Sequence, residues 1–396
     1  MTSAPFVVPH ASIMIVRVGH ALGHALVMAF VMFWDILWGL ILGFLLSAIV
    51  EAIVSKGEIV RLLPDDRPNT IAKACALGAA SSSCSYAAVA LTRSIIRKGA
   101  NFTASMAFQL ASTNLVAELA IILALLVGWQ FTVAEFVGAP LMVTIMVLLF
   151  RAFLKPELLG QAEEQAQKGI QGRMEGHAQM DMSVTQGTLL QRALSDKGKT
   201  AISHYFVMNW TMLWADVGGG LLIAGALAAW VPPKGWQAFF LTSHPLFARF
   251  WGPLVGPVVA ILSFVCSVGN VPLAAVLWSG GSSFGGIIAF LFADLLVIPI
   301  LDIYRKYYSG EMMLFLLATM YAAMVIAAIG IEFLFRAIHL VPIQHHGAIA
   351  EMLIKLNYTT VLDVIFLLIA SPFVWRFFRT GGPAMLRMMN SASDRS

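Results

Sequence analysis

The chain has 396 residues, of which 59% are hydrophobic and only 12% charged, with mean hydropathy +0.82 and net charge +4. A soluble globular chain is about 25% charged, so this composition excludes a soluble globular protein and leaves no room for a separate catalytic domain. The basic residues fall in loops between apolar runs, where they orient a membrane chain and do not form a nucleic-acid surface.

Residues 1–154 form the first predicted membrane half. The start, MTSAPFVVPHASIMIV, has no basic n-region and no small-residue cleavage site, so no removable signal peptide is expected. The span FWDILWGLILGFLLSAIV carries Asp35 one turn before Gly39. Next comes an apolar segment broken in its middle: IAKACALGAA gives way to SSSCS and resumes as YAAVALTRSII. Residues 155–202, rich in Gln, Gly and both charge signs, are predicted as a hydrophilic cytoplasmic linker.

The second half, residues 203–340, repeats the first. Ser81 to Ala111 reappears without a gap at Ser263 to Ala293, with ten identities that include Cys84/Cys266, Ser85/Ser267, Gly99/Gly281 and Phe108/Phe290. Chance matching of two apolar, Ala-rich strings would give roughly three. The preceding span matches too, pairing Asp35 with Asp216 and Gly39 with Gly220. Here VVAILSFV breaks at CSVGNVP and resumes as LAAVLW, and Pro272 cannot donate to an uninterrupted helix. Residues 341–396 supply one further span and a cytoplasmic tail.

Each arm of a broken segment is about 10 to 12 residues, too short to cross at about 1.5 Å per residue. The segment therefore reads as two half-helices meeting at a turn inside the membrane. Loop charge agrees: Arg61 and Arg67 precede the first broken segment while Arg93, Arg97 and Lys98 follow it, and a hairpin lets both groups stay cytoplasmic. Arg249 is the one awkward charge, in a stretch assigned to the outside. The prediction is an all-α polytopic membrane protein: an inverted repeat of three spans plus one re-entrant hairpin each, then the C-terminal span. That makes seven spans, an external N-terminus and an internal C-terminus. Full crossings in place of the hairpins would make nine.

Chemistry concentrates at the breaks. Ser81, Ser82, Ser83, Ser85, Ser267, Asn270 and the freed backbone amides line a polar pocket on one reading, and only pack the tips closely on the other. Cys84 and Cys266 hold the same repeat position, and thiolate sulfur suits thiophilic species such as As(III) or Hg(II). Small buried hydrophobes would explain them equally; Cys75, without a repeat partner, reads as packing. Asp294 stands in the middle of an apolar run, where a charge costs at least about 2.5 kcal/mol; it serves as a proton carrier or as a hydrogen-bond anchor. Its counterpart is Ser112, which opens the polar run Ser112, Thr113 and Asn114; Glu118 lies one turn on. Asp35 and Asp216 face the same cavity or anchor a helix contact. Glu332 and Arg336, four apart, pair. No GxxxxGK[ST] occurs, so no ATP hydrolysis is expected.

The strings GAASSSCSYAAVALTRSIIRKGANFTASMAFQLASTNLVAEL and FVCSVGNVPLAAVLWSGGSSFGGIIAFLFADLL resemble the two signature regions of a bacterial permease family that includes the ArsP-type organoarsenical efflux permeases. The resemblance spans about Trp34 to Tyr308. It implies an inner-membrane secondary permease, not an enzyme, that exports trivalent organoarsenicals through cysteine thiols, here Cys84 and Cys266. A lone Cys in each turn rules out three thiols within one turn. Two thiols satisfy a monomethyl or aryl As(III) compound. On this expectation the partners are the substrate and the lipid bilayer, with a homodimer open, no cofactor, and Asp294, Asp35, Asp216 and Glu118 as proton-coupling candidates. A permease for another sulfur-reactive or anionic solute, and a passive channel or non-transporting membrane component, are the alternatives.

Overall fold

The computed structural model describes residues 10–53, 60–81, 85–167, 182–230, 233–263, 267–342 and 358–386. Among them every regular element is helical, as a bilayer requires of a backbone with no water to bond. The first half holds α1 (His10–Ile53), α2 (Pro68–Ser81), α3 (Ser85–Arg97), α4 (Phe102–Asn114), α5 (Ala117–Leu126) and α6 (Trp129–Phe153). Two short helices follow, α7 (Pro156–Gln167) and α8 (Leu189–Leu194). The second half holds α9 (Asp196–Trp230), α10 (Pro233–Phe239), α11 (Pro245–Ser263), α12 (Ser267–Ser279), α13 (Phe284–Phe292), α14 (Ile298–Tyr308) and α15 (Gly310–Ala337). The last helix is α16 (Tyr358–Arg379).

The chain is a multi-pass membrane protein. Among the described residues, four helices (α6, α11, α15 and most of α16) are each long and apolar enough to cross a bilayer; α4 with α5, and α13 with α14, add two more if each bent pair is one span. The bends are 40° and 42°. They were not foreseen in the sequence, where the polar run ending at Asn114, the lone Asp294 and Pro299 in the first turn of α14 were the signals. Of the remaining expected spans, α1 runs as one helix from His10 to Ile53 and, among the described residues, holds the apolar stretches Leu22–Val31 and Leu40–Ile53, and α9 carries Lys197, Lys199, His204, Asn209 and Asp216.

Local structure repeats with the sequence. The pairs α3/α12 and α4/α13 begin at residues 182 positions apart. The turn between them holds Gly99 at φ 95° and Gly281 at φ 97°, a left-handed conformation that any β-carbon would strain. Asn101 Oδ1 then accepts from the Ala104 N–H, as Ser283 Oγ accepts from the Gly286 N–H, each cap contributing about 1 kcal/mol. At the end of the preceding helix, Ser81 Oγ donates to the Gly78 carbonyl and Ser263 Oγ to the Ala260 carbonyl.

Two departures from expectation concern the second broken segment. Helix α11 has 19 residues where a shorter arm was predicted, because PLFARFW, expected in an outer loop, is helical. Helix α12 resumes at Ser267, so Asn270 and Pro272 lie inside it, and the proline forfeits one i→i−4 bond.

Repeat-equivalent long helices run antiparallel. Phe44 meets Trp210 edge-on at 5.0 Å while Gly225 abuts Ala25 and Ala29, which pairs α1 with α9. Phe150 meets Phe315 at 5.3 Å and Gly138 abuts Ile331, which pairs α6 with α15. Small residues allow the closest approaches, as membrane helix packing favours. A β-carbon at Gly78 would fall 2.4 Å from the Phe108 carbonyl oxygen, and one at Gly256 would fall 2.5 Å from that of Gly286. Helix α2 thus lies on α4, and α11 on α13.

The flanking elements are tied down. Asp363 of α16, buried, accepts the Trp38 N–H at 2.8 Å, and Arg376 pairs with Asp196 at 2.7 Å. In the predicted linker, Ala162 and Ala166 of α7 are buried and the Ala166 carbonyl accepts Arg93 Nε at 3.1 Å. Arg93 itself, read as a loop charge, is buried with its guanidinium over the Tyr307 ring.

Candidate functional site

Both broken segments resume as helices whose first residue is a serine, and these two serines meet. The Ser85 hydroxyl donates to Asp294 Oδ2 at 2.9 Å, and the Ser267 backbone N–H donates to Ser85 Oγ at 3.4 Å. Asp294 lies in the one-turn 3-10 segment Ala293–Leu295, at the bend between α13 and α14, and is fully buried. The Thr113 and Ser267 hydroxyls and the Leu295 amide also face its carboxylate, while Oδ1 has no partner that meets hydrogen-bond geometry. The N-termini of α3 and α12 converge here, and a helix N-terminus carries about half a positive charge. The site therefore favours a negative group, and Asp294 supplies one.

The neighbouring polar side chains are buried and only partly bonded. Asn114 Nδ2 donates to the Leu110 carbonyl and to Thr113 Oγ1, both at 3.0 Å, leaving Oδ1 without a partner. Asn270 Oδ1 accepts Ser263 Oγ at 3.4 Å, leaving Nδ2 without one. Gln109 Nε2 donates to the Tyr304 hydroxyl and its Oε1 is likewise open. Each such atom costs about 1–3 kcal/mol if nothing bonds it, so these positions call for water or a polar solute.

Sequence reasoning missed Glu135. It is buried on α6, neither carboxylate oxygen has a partner, and its charge interacts with that of Asp294. Phe131 and Gly138 share its helix face. Phe131 packs on Trp278 at 4.9 Å and on Phe284 at 4.6 Å, and a β-carbon at Gly138 would lie 2.8 Å from the Phe292 ring. The face thus lies along α13, with Glu135 between those two contacts. The available signal was an acid within an apolar run. It was overlooked because its repeat position is Leu317.

The other expected residues divide. Ser85, Ser267, Asn114 and Asp294 are linked by the contacts above, and Asn270 lies one turn into α12. Glu118 is buried against α1, where a β-carbon at Gly43 would collide with it. Cys84, Cys266, Ser82 and Ser83 lie outside the described residues, as do the side chains of Asp35 and Asp216. The antiparallel register of α1 and α9 brings backbone positions 35 and 216 to about the same level. Cys75 is half-buried against the core. Among the described residues, no three His, Cys, Asp or Glu groups cluster as a metal site.

A permease family model, ArsP_1, described as "Predicted permease", matches residues 21–333. A Mycobacterium tuberculosis protein named as a permease, Rv2963, is 60% identical over 342 residues, covering 86% of this chain and 84% of its own length. No solved structure matches.

Proposed function

We propose that this chain, which belongs to the ArsP_1 permease family and is a membrane transporter, is a bacterial inner-membrane secondary permease. It exports a small thiophilic solute, foremost a trivalent organoarsenical, by alternating access with proton coupling. The observation that carries this reading is the meeting of Ser85 and Ser267 over Asp294. Equivalent positions of two halves converge on one buried acid, at the kind of repeat interface where transporters built from inverted repeats bind substrate.

The inverted arrangement is supported by the antiparallel pairing of α1 with α9 and of α6 with α15. Re-entrant hairpins are supported by packing: α2 runs beside α4 as far as Ser81, its last described residue, which lies near the α4–α5 bend and so partway along that crossing. Cys84 and Cys266 are the covalent neighbours of the two serines that touch. The two thiols there would exchange for the two hydroxyls of a monomethyl or aryl arsenite, each S–H proton leaving with a hydroxyl so that two As–S bonds replace two As–O bonds and two waters are released. Asp294 and Glu135, buried and mutually repelling when ionised, would hold the coupling protons.

Flux of methylarsenite from proteoliposomes tests the reading. Transport that a proton gradient accelerates and that Cys84→Ser or Cys266→Ser abolishes supports it. Flux indifferent to the gradient points to a channel, and flux indifferent to both cysteines contradicts the thiol route. One observation favours a second reading, an anionic solute: two helix N-termini converge on the site, and such ends bind anions.

A further inference from the structure

A second candidate site lies apart from the serine pair. The start of α11, the end of α12, the start of α13 and the end of α15 enclose an open cavity of about 460 Å³. Arg249, Arg336 and His339 line it, the almost fully buried Trp278 and Phe284 lie at its edge, and among the described residues no carboxylate lines it.

The charge is not balanced. Glu332, fully buried, answers Arg336 at 2.7 Å, and its other oxygen accepts the Gly285 N–H at 2.7 Å, so both of its oxygens are engaged. Arg249 makes no ion pair among the described residues, and its Nε is buried without an acceptor. A guanidinium N–H left this way incurs the desolvation cost of a charged donor. It lies against a cavity large enough for an organic molecule, since ligand pockets run about 300–1,000 Å³. His339 holds φ 55°, a left-handed conformation that histidine adopts more readily than most residues with a β-carbon. Bonds from its N–H to the Arg336 carbonyl and from the Leu340 N–H to the Phe335 carbonyl fix the backbone there.

We propose that this cavity binds a small organic anion, with a carboxylate or oxyanion on Arg249 and its organic body in the remaining volume of the cavity. Arginine suits the acid group because its planar fork matches two oxygens at once. Arg249, the one basic residue that fitted poorly with loop-charge topology, acquires a role. The site goes beyond the thiol route and does not depend on it.

The test is calorimetric binding to the purified full-length protein of three probes of one shape: benzoate, benzyl alcohol and benzylammonium. Benzoate should bind, the alcohol at least about tenfold more weakly, reflecting loss of a charged hydrogen bond, and benzylammonium not at all. Arg249→Gln should lower benzoate affinity by about tenfold or more, and Arg249→Lys, which keeps the charge and loses the fork, by less. Cys84→Ser should bind benzoate as the wild type does, so failure of the thiol route leaves this result untouched. The site is refuted if benzoate shows no binding up to about 10 mM, if Arg249→Gln binds it unchanged, or if benzylammonium binds as well. Should Arg249→Gln not fold, the Lys variant and the probe series on wild-type protein still decide.

Discussion

Ser85 and Ser267 occupy the same position in the two halves of the chain, 182 residues apart, and in the folded protein they touch, the Ser267 amide donating to the Ser85 hydroxyl oxygen at 3.4 Å. The contact is not symmetric. Ser85 uses its side chain in both directions, receiving the amide and donating to Asp294 at 2.9 Å, whereas Ser267 gives its backbone N–H to Ser85 and its hydroxyl only faces Asp294.

That asymmetry predicts unequal mutants. Ser85→Ala removes the hydroxyl that bonds Asp294 and should cost about 1.5–3 kcal/mol, the range for a hydrogen bond to a charged group. Ser267→Ala keeps its amide and should cost less. Denaturant unfolding in detergent compares the two; equal losses, or the reverse order, would contradict the geometry.

Asp294→Asn and Glu135→Gln preserve shape and remove ionisation. Each should leave the protein folded and flatten the pH dependence of solute flux. If the two acids act as one unit, the double variant should transport no worse than the more impaired single one. A steep pH profile retained in Glu135→Gln would remove that residue from the coupling.

Helix contact through glycine gives a third expectation. Gly78→Ala places a methyl 2.4 Å from the Phe108 carbonyl oxygen, against backbone that cannot turn aside, and should destabilise by about 1–3 kcal/mol. Gly160 on α7 has nothing within 4 Å of its would-be β-carbon, so Gly160→Ala should be neutral or stabilising by up to about 1 kcal/mol. Paired thermal melts check the contrast.

Asp65, in the loop before α2, is held below its usual carboxylate range chiefly by the Thr70 hydroxyl and then by the Arg67 N–H. A depressed folded value contributes stability above the unfolded value of about 3.9, and that contribution is lost as pH falls through the folded one. Thr70→Val should therefore be less stable than wild type at neutral pH, and the gap should close in acid below both values. A gap that widens on acidification would reverse the sign.

Much of this site was legible from pattern alone. The repeat located Ser85 and Ser267, because duplicated polar residues inside apolar runs have few reasons to persist except one another, and Asp294 stood out as a lone acid within an apolar run. The bend after Asn114 was not legible, since it carries neither Pro nor Gly; the bend at Asp294 has Pro299 in the first turn of α14, a cue hidden by the apolar run around it. The extra length of α11 was hidden because PLFARFW reads as loop by its Pro and Arg, yet Pro245 is tolerated in a first helical turn. Glu135 escaped because repeat comparison ignores whatever occurs in one half only. The burial of Arg93 under α7 could not be foreseen from a charge count, which treats every arginine near a span as a loop residue.

The measurement that bears most directly on the central claim is a thermal shift of purified protein with phenylarsenite, comparing wild type with Cys75→Ser, Cys84→Ser and Cys266→Ser. The account predicts stabilisation of the wild type and of Cys75→Ser, and its loss in both Cys84→Ser and Cys266→Ser, because one solute bridges the neighbours of the touching serines. Stabilisation that survives in either tip variant, or that is missing from the wild type, would contradict it.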